Sequence, residues 1–145
     1  MAAVLEAQRD ALPAMGAAVG AYVVGWAAID ELHVECDHCL TGLQAANDDA
    51  QTIALDALYR HLLDHFGAEE ALMAASEYPK LDCHKREHDA VLRVVARVRP
   101  MCEAGQHDVV RRLAVEFPSW FEVHAGTMDR SLADWLREHA VAPGR

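Results

Sequence analysis

His65 and Glu69 stand four residues apart, and so do His84 and His88. On an α-helix a four-residue step turns the chain by about 400°, so each pair leaves one face. His124 and Asp129 make a third cluster, and His33 lies alone in a fourth helical stretch. Together these are five imidazoles and two carboxylates. A zinc site is usually closed by about four ligands, so the set overfills one ion. It suits two ions that share the carboxylates. If each carboxylate gives one oxygen to each ion, and a solvent-derived oxo or hydroxo bridge gives one more, an ion with three histidines is full. An ion with two keeps one position open. Imidazole and carboxylate ligands favour iron or manganese over copper(I). An open position on a ferrous pair invites dioxygen.

Four helices must carry these residues. Helical periodicity predicts one from about Asp30 to Ala46, with Ile29, Leu32, His33, Cys36, Leu40 and Leu43 near one stripe. Asn47, Asp48 and Asp49 supply a break and a cap. The second helix is expected from about Ala50 to Ala75, with Leu55, Leu58, Leu62, His65, Phe66, Glu69 and Met73 inward. The third runs from about Lys80 to Glu103, with His84, His88, Val91, Val95 and Val98 inward; Pro100 should loosen its end and Gly105 close it. The fourth starts near Gln106 or His107 and carries Leu113, Phe117, Trp120, His124 and Met128. Pro118 should kink it or restart it. His124 and Asp129 are five apart, a turn of about 500°, and so about 140° off one face. To serve one centre, the backbone must widen into a π-bulge or end its helix between them. A short helix, about Ser131 to His139, follows. The fold class is therefore all-α: an antiparallel up-down-up-down four-helix bundle. An N-terminal arm (1–28) precedes the bundle domain (29–140), and part of 2–11 reads as a short helix.

Composition narrows the function classes. The 145 residues suit a single domain with a sizeable core, and the 52% hydrophobic content is rich in helix-forming alanine and leucine. The formal net charge is −10, and Lys80 and Lys85 are the only lysines. No basic stripe can neutralise phosphates, so nucleic acid is not an expected partner. An anionic membrane surface would repel the chain. The apolar run from Ala14 to Ile29 is broken by Gly16, Gly20 and Gly25, and Glu6 and Asp10 precede it. Neither a membrane span nor an export signal is expected, and the cytoplasm is the expected compartment.

The chain resembles the bacterial hemerythrins over nearly its whole length beyond the arm. The resemblance rests on residues 24–33 (VGWAAIDELH), 65–73 (HFGAEEALM), 78–88 (YPKLDCHKREH) and 120–129 (WFEVHAGTMD). It implies a four-helix bundle that binds dioxygen reversibly at a non-haem di-iron centre, two irons joined by an oxo or hydroxo bridge. It also implies that His84, His88 and His124 hold the saturated iron, that His33 and His65 hold the iron with the open position, and that Glu69 and Asp129 bridge. Azide and nitric oxide would be further exogenous ligands. An unknown protein partner is a further expectation for such a chain.

Trp120, Ala125 and His61 are expected around the bound centre. Ala125 stands where the family pattern usually has a bulky aliphatic residue, which leaves room near the open iron unless Trp120 or Phe121 refills it. His61 stands one turn before His65, where the family often has tyrosine. It reads either as a core histidine satisfied by a carbonyl or as a hydrogen-bond partner of the ligand. Cys36 and Cys39 form a CxxC, but no second CxxC and no βαβ pattern accompany it, so these read as ordinary thiols, as do Cys83 and Cys102. Glu70 is expected to face away, and His38, His107 and His139 to be solvated. The leading function is a binding protein for oxygen carriage, storage or delivery, not an enzyme. The alternatives are an oxygen- or redox-sensing module, or a di-iron redox enzyme acting on peroxide or nitric oxide.

Overall fold

A computed structural model describes residues 22–139. The arm is therefore described only from Tyr22 on, and the short helix expected within 2–11 lies outside the described residues. Four long helices follow in order: α1 (Ala27–Ala45), α2 (Gln51–Ala75), α3 (Leu81–Glu103) and α4 (His107–His124). A π-helical segment, Ala125–Asp129, links α4 to a short α5, Arg130–Glu138. Consecutive helices pack on one another, and α1 packs on α4, closing the antiparallel four-helix bundle that the periodicity predicts. Among the described residues, no helix is long and apolar enough to cross a membrane.

The connections show why each helix stops where it does. After α1, Asn47 Oδ1 accepts the Ala50 N–H at 3.0 Å and starts a 3-10 turn, Asp48–Ala50. Helix α3 ends on Gly105, whose φ of +85° lets the Gln106 N–H reach the Met101 carbonyl at 2.9 Å. Helix α2 ends the same way without a glycine: Glu77 sits at φ +54° while the Tyr78 N–H reaches the Met73 carbonyl. Helix α1 begins a turn earlier than expected. Its Asp30 carboxylate reaches back to accept the N–H groups of Val24 at 2.7 Å and Gly25 at 3.2 Å. That bond fixes the extended segment leading in.

Pro118 does not break α4. The helix runs continuously from His107 to His124. Proline removes the N–H that would have served the Ala114 carbonyl four residues back. The Gln44 side chain of α1 donates to that carbonyl instead, at 3.2 Å. Pro100 likewise lies inside α3, three residues before its end.

The buried apolar side chains form two clusters. One holds Cys36, Leu40, Leu58, Leu62, Phe66, Val91, Val95, Phe117 and Phe121; the other holds Val24, Trp26, Ile29, Met73, Tyr78, Leu132 and Leu136. Along α1 the order is Ile29, His33, Cys36; along α2 it is Phe66, Glu69, Met73. A polar layer thus lies between two apolar clusters at one level of the bundle. Burying such a layer is costly unless every group in it finds a partner.

Candidate metal centre

All seven predicted donors meet in that layer. His33, His65, Glu69, His84, His88, His124 and Asp129 are each 0–1% exposed. Four-residue spacing brings His65 with Glu69 from α2, and His84 with His88 from α3, as expected. The last pair depends on the π-helical segment. Its wider turn swings Asp129 round until its Oδ1 lies 3.1 Å from His124 Nε2. A regular α-helix would have left the two on different faces.

The distances divide the imidazoles into two groups that share both carboxylates. Asp129 Oδ2 lies 2.8 Å from His33 Nε2, while its Oδ1 lies 3.0 Å from His84 Nε2. Glu69 Oε2 lies 2.8 Å from His65 Nε2 and 4.0 Å from His33 Nε2. Its other oxygen, Oε1, lies 3.1 Å from His88 Nε2 and 3.5 Å from His84 Nε2. Each carboxylate therefore turns one oxygen to each group. Donor atoms of Glu69, His84, His88, His124 and Asp129 lie within 4.8 Å of one another, as do those of His33, His65, Glu69 and Asp129. One group offers five donors and the other four.

Hydrogen bonds within the layer join His33 Nε2 to Asp129 Oδ2 and His65 Nε2 to Glu69 Oε2, but they leave other groups unsatisfied. Glu69 Oε1, Asp129 Oδ1 and both ring nitrogens of His84 are buried without a hydrogen-bond partner. His84 Nε2 is 3.0 Å from Asp129 Oδ1 yet off the line of a hydrogen bond. Orphaned polar atoms are costly in a protein interior. Of these, Glu69 Oε1 and Asp129 Oδ1 each lie within 3.5 Å of His84 Nε2, and the three fit a cation between them; His84 Nδ1 is on the other side of its ring and is not served by it. The donors, imidazole and carboxylate, suit iron or manganese.

Charge follows the same geometry. Burial and the Asp129 charge would raise the Glu69 pKa, but the surrounding histidines outweigh both and hold it well below the usual carboxylate range. Burial would lower the His124 pKa; the close Asp129 carboxylate and the hydrogen bond to Glu87 reverse this and raise it to about 10. His33 and His84 are also raised: burial would lower both, but the nearby Asp129 carboxylate, joined at His84 by that of Glu69, outweighs it.

Outside this layer, partners hold the far side of four imidazoles. His33 Nδ1 meets the Tyr22 carbonyl. His65 Nδ1 lies 3.0 Å from His61 Nε2, so His61 meets the ligand candidate rather than serving only as a carbonyl-bonded core residue. Burial, then the His65 charge, pull the His61 pKa down to about 4. Glu70 Oε2 lies 3.0 Å from His88 Nδ1, and Glu87 Oε1 lies 3.0 Å from His124 Nδ1. Glu70 therefore does not face away as expected. An acid next to a ligand in sequence points about 100° round the helix. Here that direction is toward the neighbouring helix, where the buried His88 imidazole takes it as a partner. Glu87, next to His88, follows the same rule on α3, and the periodicity of one helix does not mark it. His107 is also not free in solvent, since its Nδ1 lies 2.7 Å from buried Gln51 Oε1.

Aromatic rings wall the layer. Trp120 stacks on His124 with centroids 4.8 Å apart. Phe121 meets His33 and His65 at right angles, at 5.2 and 6.0 Å, and so borders the four-donor group. Ala125 is fully buried in the same apolar cluster as Phe121.

Comparison with known proteins points to a cation-binding family. A sequence profile described as the Hemerythrin HHE cation binding domain matches residues 24–140. The chain is 37% identical over 115 residues to a protein of Ralstonia nicotianae named Bacteriohemerythrin, covering 79% of this chain and 84% of that one. It is 29% identical over 120 residues to a Bacteriohemerythrin of Stenotrophomonas maltophilia, covering 80% of this chain and 78% of that one. It is similar to one from Aquifex aeolicus at 34% over 84 residues, 57% of this chain and 64% of that one. No solved structure matches the chain significantly.

Proposed function

The chain belongs to the hemerythrin family, and on that premise we propose that it binds dioxygen reversibly at a pair of iron ions held in the polar layer. His84, His88 and His124 would hold one ion and His33 and His65 the other, with Glu69 and Asp129 shared. One observation carries this reading: both carboxylates divide their oxygens between the two histidine groups, and Glu69 Oε1 and Asp129 Oδ1 have no other partner. When bound, the ion pair supplies an open position for a small ligand on the two-histidine side and electrons from both ions.

The chain's own residues supply the rest. Phe121 stands at that side and keeps water from the donors. Glu70 and Glu87 take the outer N–H of His88 and His124, which fixes their tautomers and leaves Nε2 free for metal. His61 and the Tyr22 carbonyl do the same for His65 and His33. The two-histidine side thus has neutral outer partners, whereas on the three-histidine side His88 and His124 have charged ones and His84 Nδ1 has none. Azide and nitric oxide are expected at the same open position. The four free cysteines suit a reducing compartment, which fits the cytoplasm.

An optical spectrum of the reduced protein before and after oxygen, and again under inert gas, tests the reading. A visible band should appear with oxygen and vanish on its removal. A band that never forms would overturn it, and rapid consumption of peroxide with a reductant would favour the enzyme.

A further inference from the structure

A second cluster of metal-binding donors lies one helical turn away from the first. Cys36 follows His33 by one turn on α1, and His61 precedes His65 by one turn on α2. The donor atoms of Cys36, His61 and His65 all lie within 4.8 Å of one another. Cys36 and His65 are fully buried, and the His61 side chain is 9% exposed. We propose that Cys36, His61 and the Nδ1 atom of His65 form a separate site for a thiolate-preferring cation of the zinc type.

The donor chemistry separates this site from the carboxylate layer. One sulfur and two imidazole nitrogens make a zinc-like set, whereas imidazole with carboxylate suits iron. His61 Nε2 faces His65 Nδ1 at 3.0 Å, which leaves His61 Nδ1 on the outer side, 3.8 Å from Glu35 Oε2. At that separation Glu35 is an ion-pair neighbour of His61 rather than a hydrogen-bond partner. Glu35 is 58% exposed, so it also marks the way in from solvent. A water molecule would complete a tetrahedral set.

The paired cysteine of the CxxC is not part of the site. Cys39 turns its sulfur toward the Ala57 carbonyl at 3.9 Å. Buried Cys102 lies 3.5 Å from Thr52 Oγ1 and 4.0 Å from Gln51 Oε1. Of the cysteines, Cys36 is the one grouped with imidazoles.

Without the cation, His61 and His65 share a hydrogen bond. With it, the cation takes the place of the shared proton. Two protons then leave to solvent, one from the thiol and one from the imidazole pair, and no oxidation is involved. His65 already turns Nε2 to Glu69, so a cation here would join the carboxylate layer through a single imidazole. The proposal rests on this geometry and does not require the dioxygen reading.

Cobalt(II) serves as the probe, added to the protein as purified with its own metal. One cobalt per chain should be retained with iron content unchanged. A thiolate-to-cobalt charge-transfer absorption should appear in the near ultraviolet. Cys36→Ser should abolish that absorption and weaken cobalt binding by about tenfold or more, whereas Cys39→Ser should leave both intact. His61→Phe should lose the site in the same way, so the test survives if Cys36→Ser fails to fold. No retained cobalt, an absorption that persists in Cys36→Ser, or cobalt gained at the expense of iron would each overturn the proposal. Iron analysis of the same samples reports on the carboxylate layer independently.

Discussion

Glu87 and Glu70 hold the outer nitrogens of His124 and His88, and neither is a donor to the central layer. Removing such a support usually lowers metal affinity between about ten- and a hundredfold. Glu87→Gln should do so, measured by competition with a chromophoric chelator, with helical content unchanged. Phe121 acts differently, as a fully buried wall beside His33 and His65. Phe121→Ala should cost about 3–5 kcal/mol of stability. It should also speed oxidation of the ferrous protein in air, followed optically. If the rate is unchanged in a folded variant, another residue keeps water out. The seven central donors were legible in the sequence because helical spacing puts them on inward stripes. Their outer partners were not legible. Whether an acid beside a ligand faces water or a neighbouring helix depends on how the helices are rotated against each other, which one-helix periodicity does not contain.

Among the elements, the π-helical segment is legible in the sequence, because five-residue spacing and a common target are incompatible with a regular α-helix. The continuity of α4 through Pro118 is not. The compensating donor, Gln44, lies 74 residues earlier, on another helix. The α2 terminus was also opaque. Its Tyr-Pro turn was visible, but not that Glu77 takes the left-handed conformation that glycine fills after α3. A side chain there costs about 1–2 kcal/mol in backbone strain, partly offset by the greater chain freedom glycine restores to the unfolded state. Glu77→Gly should therefore stabilise the protein by about 0.5–1 kcal/mol. Denaturant unfolding at constant metal loading measures it, and a destabilised variant would show that Glu77 makes a compensating contact.

Over the whole molecule, a charged layer sits between two apolar clusters, so stability and metal loading are one problem. In the metal-free protein, His124 has its pKa raised to about 10 from 6.5, and its contribution is full below about pH 6.5 and lost as pH rises through the folded value. Glu69 and Asp129 are held well below their ordinary values, so their contribution is present above about pH 4–5 and lost as pH falls further. His61, lowered to about 4, adds a loss that begins as pH falls below about 6.5, so metal-free protein should be most stable near pH 6.5 and weaken on either side. Urea midpoints across pH, after chelation, check this; a midpoint that rises steadily to pH 9 would contradict the His124 assignment. Fold class and helix order were legible because each long helix carries a recurring inward stripe at helical spacing, although Val34, Ile53 and Leu63 stay exposed. The shared use of both carboxylates is a property of the assembled bundle, and it is the centre of the functional reading. Iron and protein quantified on one purified sample test it most directly. About two irons per chain are expected from a donor set that overfills one ion, whereas a single metal ion per chain with no iron would contradict the shared centre.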